Sequence, residues 1–139
     1  MSRAPYTAPL TEVLDAVAIY LQNKGLGTVG SSIMKGSLRP SPMKQIAIVT
    51  SGGARLRGDP IRRPAFQVMI RDDPFNVALV RAQDVYDAMD HVWLKTPHFG
   101  LRFKAEVEPG SYFLDANQHF VFSLNFSTVL CPPVAGSVP

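Results

Sequence analysis

Cysteine is almost missing from this chain: Cys131 stands alone among 139 residues. That excludes an intramolecular disulfide and any zinc site built on several thiolates. A lone thiol fits a reducing compartment. Histidine is scarce as well. His91, His98 and His119 lie on different segments, and no two have the spacing of metal ligands on one element. No stretch approaches the roughly 18 uninterrupted apolar residues of a membrane span. The opening residues, Met1 to Tyr6, lack the apolar run of a secretory signal. A soluble, intracellular protein is expected. Charged residues make up only 18% of the chain, and the net charge of +3 falls short of the clustered charge of a dedicated nucleic-acid binder.

Proline and glycine, in contrast, are plentiful, at 12 and 10 residues. They separate periodic segments and form no repeat. The length suits one domain, able to bury roughly two thirds of its unfolded surface without a disulfide or metal. The layout predicted is an arm over residues 1–9, one domain over 10–131 and a tail over 132–139.

The stretch from Ile61 to Trp93 organises the rest. Phe66, Val68 and Ile70 alternate with Gln67 and Arg71, the period of a strand with one buried face. Asp73 and Pro74 then suit a helix start, with Asp73 as the cap. Phe75, Ala78, Ala82, Val85, Tyr86, Met89, Val92 and Trp93 recur at helical spacing, which predicts a helix reaching Trp93. An earlier helix is predicted over Leu10–Asn23 from the stripe Leu10, Val13, Leu14, Val17, Ala18 and Leu21, with Gly25 as its stop. Gln45 to Thr50 reads as a strand covered on both faces. Leu101 to Glu108 alternates as a half-exposed strand. Pro109-Gly110 and Asp115 to Asn117 read as turns. His119 to Leu130 reads as a long strand with Phe120, Phe122, Leu124, Phe126, Thr128 and Leu130 on one face. The order is helix, strand, strand, long helix, strand, strand. It predicts an α+β fold: a two-layer sandwich with a mainly antiparallel β-sheet and two α-helices packed on one face. The core is expected where the last strand crosses both helices.

Motifs for chemistry are few. Gly25 to Gly30 matches G-x-G-x-x-G letter for letter, but it follows a helix where a dinucleotide site needs a preceding strand. It reads as a helix cap and loop. His91 falls four residues after Asp87 on one helical face, which reads as an ion pair or a solvated surface. Asp84, Asp87 and Asp90 recur every three residues opposite the apolar stripe and read as an exposed acidic face. No nucleophile elbow occurs. An enzyme, a cofactor and a metal are not expected. Arg55, Arg57, Arg62 and Arg63 are the densest charge, suited to gripping phosphate or to meeting acidic groups of a neighbouring subunit.

Three local phrases carry a family resemblance: Pro9 to Leu14, Ile61 to Val68, and Phe120 to Phe126. With the element order and length, they make residues 8–130 resemble the small tail-terminator, or tail-completion, proteins of long non-contractile-tailed bacteriophages, often labelled minor capsid proteins. The resemblance implies a homo-oligomeric ring, usually a hexamer, at the head-proximal end of the tail tube of the virion. Such a ring is assembled in the host cytoplasm, ends tube growth and allows head–tail joining. Its implied partners are the tail tube protein, the head–tail connector proteins and, non-specifically, DNA passing through the lumen, with no membrane. Arg55, Arg57, Arg62, Arg63, Asp84, Asp87 and Asp90 are then candidates for the subunit interface or lumen. Two alternatives stand beside this. One is a head–tail connector or neck protein; the other is a small phosphate- or nucleic-acid-binding module using the Arg55–Arg63 loop.

Overall fold

In the computed structural model, residues 9–54, 62–106 and 108–131 are described. The first helix, α1 (Leu10–Asn23), buries Val13, Val17, Ala18 and Leu21. It ends as the sequence predicts. Gly25 takes φ +78; its N–H donates to Gln22 O and the Leu26 N–H to Leu21 O, which closes the last turn. Gly27, in the loop beyond, has no room for a side chain: a Cβ there would lie 2.9 Å from Cγ1 of buried Ile33.

Three strands follow before the second helix: β1 (Ile33–Lys35), β2 (Gln45–Ala54) and β3 (Arg63–Asp72). The second helix, α2 (Phe75–Met89), precedes β4 (Trp93–Lys95), β5 (Gly100–Ala105), β6 (Tyr112–Leu114) and β7 (Phe120–Cys131). The sheet runs β1-β2-β3-β7-β5-β4, with β6 also pairing β7. Only β1–β2 is parallel; the other pairs are antiparallel. One long edge of β7 is shared: β6 pairs its first residues (Phe120 to Phe122) and β5 its last (Phe126 to Cys131).

Alternation sends Phe66, Val68 and Ile70 of β3, Phe122, Leu124, Phe126 and Leu130 of β7, and Leu101 and Phe103 of β5 into one core with both helices. The chain is therefore an α+β fold, a two-layer sandwich in which a mainly antiparallel sheet carries its helices on one face. The core is not centred as expected. α1 lies over β1 and β2, and α2 over β3, β7 and β5. A helix about 10 Å wide covers only about two or three strands spaced ~4.8 Å apart, so the two helices divide the sheet between them.

Three local expectations are corrected. Asp73 does not cap α2: the N-cap is Pro74, with no side-chain cap. Instead the Asp73 carboxylate pairs with His119 Nδ1. The helix also stops at Met89. Asp90 turns to extended backbone (ψ 130), and its Oδ1 accepts the Ala105 N–H at 2.8 Å. Val92 and Trp93 therefore leave the helix, and Trp93 opens β4. Finally, the strand expected over 101–108 ends at Ala105; Val107 lies outside the described residues.

Among the described residues, the second face of the sheet is open in its middle and covered at one end. Arg71 points to that face yet is 6% exposed. Its Nε donates to Met43 O at 2.8 Å and its Nη2 to Pro42 O at 2.9 Å. Gln45 Oε1 accepts the Arg39 N–H at 2.6 Å, and its Nε2 donates to Pro42 O. These two side chains hold the proline-rich loop between β1 and β2 over the sheet, which is why β2 is covered on both faces there.

Candidate functional site

Of the seven charged residues singled out in the sequence, the five that are described do not gather into one cluster. Arg55 and Arg57 lie outside the described residues. Arg62 precedes β3, and its carbonyl accepts the Leu130 N–H at 2.8 Å. Arg63 is exposed on the open face of the sheet. Asp84 and Asp87 are exposed on the back of α2, where Asp87 accepts a hydrogen bond from Gln83 Nε2 at 2.8 Å. Arg63 and these two carboxylates thus sit on opposite faces of the molecule. Asp90 is off that row, holding β5 from the end of α2. His91 is not on the helix either. It takes φ 59 and lies 3.6 Å from the Asp90 carboxylate, not beside Asp87.

A polar cluster that the sequence reading missed lies where β3 ends and β7 begins. Asp73 meets His119, and Asp115 Oδ1 accepts the N–H groups of Asn117 and His119, each at 2.9 Å. Arg71 Nη1 is 3.7 Å from Asp115 Oδ2. The His119 N–H is the main reason the Asp115 carboxyl is held below the usual range; the Asn117 N–H, His119 and Arg71 add to this, against some desolvation. The cluster links the β3–α2 corner, the β6–β7 turn and the proline-rich loop. Its members are 46 and 44 residues apart in the Asp73–His119 and Arg71–Asp115 pairs, so only the β3–β7 register brings them together.

The open face of the sheet also carries a shallow trough of about 640 Å³ lined by Arg63, Ala65, His91, Arg102, Lys104 and Glu106, with the Ser127–Val129 segment of β7 as its floor. Arg102 and Lys104 alternate with core residues on β5, so both point out of the sheet. Trp93 pairs directly with Arg102 across β4 and β5, which places it on the same face; it is 43% exposed.

Apolar surface is concentrated elsewhere. Tyr112, Phe113 and Leu114 of β6 are 50%, 51% and 47% exposed. Tyr112 also packs edge-on against Phe75, the first residue of α2, with centroids 5.2 Å apart. On the helix layer, Ile19, Val77 and Val80 are exposed. Among the described residues, no group of three or more His, Cys, Asp or Glu side chains is placed to hold a metal ion, and no helix is long and apolar enough to cross a membrane.

No family model and no curated protein matches the chain. Solved structures do resemble it. One aligns over 84% of this chain and 94% of its own, with a TM-score of 0.57 and 14% identity. At that identity the likeness speaks for the fold alone.

Proposed function

We propose that the chain is a structural virion protein. Copies of it close into a ring, most simply a hexamer, on the head-proximal end of a long-tailed phage's tail tube, where the ring ends tube growth and receives the head. The resemblance carried by Pro9 to Leu14, Ile61 to Val68 and Phe120 to Phe126 suggests the family, and the two-layer α+β fold is compatible with it.

The observation that best supports a ring is the exposed apolar edge of β6. Three consecutive large side chains, each about half exposed, stand on a short strand that pairs on one side with β7. An edge of that kind is normally covered by another chain. A second and different apolar patch, Val77 and Val80 one turn apart on α2, lies on the helix layer. Two unlike patches suit a heterologous contact, the kind that closes into a ring when the rotation allows it. Arg63 and the pair Asp84 and Asp87, being on opposite faces, can meet only between two copies.

Light scattering on the purified full chain tests the reading. The expected mass is six times the 15.2 kDa of the chain, unchanged on dilution. A concentration-independent monomer contradicts it. A connector or neck protein also forms rings, so mass alone does not separate the two; tail length does.

A further inference from the structure

We infer that the open face of the sheet, at β4 and β5, binds single-stranded nucleic acid, with Arg102 and Lys104 on its phosphates and Trp93 under a base. The inference shares Arg63 with the ring reading but uses none of the residues of the β6 edge.

The cationic half of the site is built by strand geometry. Arg102 and Lys104 are two residues apart on β5, so their Cα atoms are roughly 6.8 Å apart on one face. That is comparable to the spacing of successive phosphates on an extended strand. Both are exposed, and among the described residues neither has a hydrogen bond, ion pair or ring contact from its side chain. Lys95 shares the face of Trp93 on β4, since Leu94 between them turns to the core. Arg63 forms the far wall of the trough, and Ser127 contributes a hydroxyl. Among the described residues, Glu106 is the one carboxylate in the lining. The excess of positive charge over a concave strip of neutral backbone selects a polyanion.

The aromatic half decides which polyanion. Trp93 is the only tryptophan of the chain, and a large ring 43% exposed directly opposite an arginine has no core function that explains its placement. A base in a duplex is already stacked on its neighbours and cannot lie on such a ring; an unpaired base can. An acidic protein surface would use the lysine and arginines but leave the indole without a partner.

The same tryptophan reports the test. A single-stranded oligothymidylate of sixteen nucleotides, titrated into the full chain at low salt, is expected to quench Trp93 fluorescence. The affinity should fall with added salt, at a slope of about −0.7 per neutralised phosphate. Arg102→Gln and Lys104→Gln should each weaken binding several-fold and flatten that slope. Trp93→Phe, followed by the anisotropy of a labelled oligonucleotide, should keep most of the affinity, and Trp93→Ala should lose about tenfold. The inference is overturned by any of three results: no quenching at low salt, affinity unchanged in the Arg102→Gln/Lys104→Gln double variant, or equal binding of polyglutamate or of a duplex of the same length. Light scattering on the same samples reports assembly separately, so a failed ring and a failed nucleic-acid site are distinguishable.

Discussion

Asp72 and Arg81 form the most heavily desolvated charge pair among the described ion pairs, at 3.4 Å between Asp72 Oδ2 and Arg81 Nε, with side chains 4% and 16% exposed. Neither of those two atoms has a hydrogen-bond partner, although Arg81 Nη2 donates to Leu26 O at 3.3 Å. Burial lowers the Arg81 pKa, with Asp72 and then Asp84 working against it. Charge attraction without good hydrogen bonding leaves desolvation poorly repaid. Removing one partner is worse than removing both. Asp72→Ala should therefore destabilise the fold by about 3 kcal/mol. Asp72→Leu combined with Arg81→Met should stay within about 1 kcal/mol of the parent. Urea unfolding of the three proteins checks this. The sequence shows Asp72 only as a polar residue ending a strand; that it faces the core follows from the parity of β3, which buries Phe66, Val68 and Ile70. Arg71 has the opposite fate. Alternation places it correctly on the second face, but nothing local announces that the proline-rich loop would cover it.

At the scale of elements, legibility follows from how local the deciding forces are. α1 is readable from end to end because its stripe and its Gly25 stop lie within the segment itself. The strands β3, β5 and β7 are readable because one face is buried and one is not. The end of α2 is not readable, since Val92 and Trp93 continue its apolar spacing and no glycine or proline intervenes before Pro97. What ends it is a bond from Asp90 to Ala105, fifteen residues on, made only once β5 is in place. The trough is hidden for a similar reason: Arg102 and Lys104 are visible as a polar strand face, but their neighbours across β7 and β4 follow from strand order. β6 is hidden because three residues are too few to show a period. Its role can be tested directly. Phe113→Lys and Leu114→Lys, placed on exposed positions, should leave the thermal transition of the subunit nearly unchanged while lowering the assembled mass; full assembly of the double variant would remove β6 from the interface.

For the whole molecule, the sheet presents three distinct surfaces: a helix-covered side with its acidic back, an open side with the basic trough, and the apolar edge at β6. The proposed ring subunit would need such division of labour, with one surface for a neighbour, another for the tube and a third for the head. The element order and amphipathic pattern carried the layered α+β fold, while the surfaces depend on pairing that no single segment encodes. The proposed role, that the chain ends tube growth, would be read in tail length. If the proposal holds, deleting the gene in a phage that encodes the chain and measuring tails by electron microscopy tests it most directly. Tails longer than the parent's and without heads are expected; free tails of normal length would overturn the proposal and point to a connector.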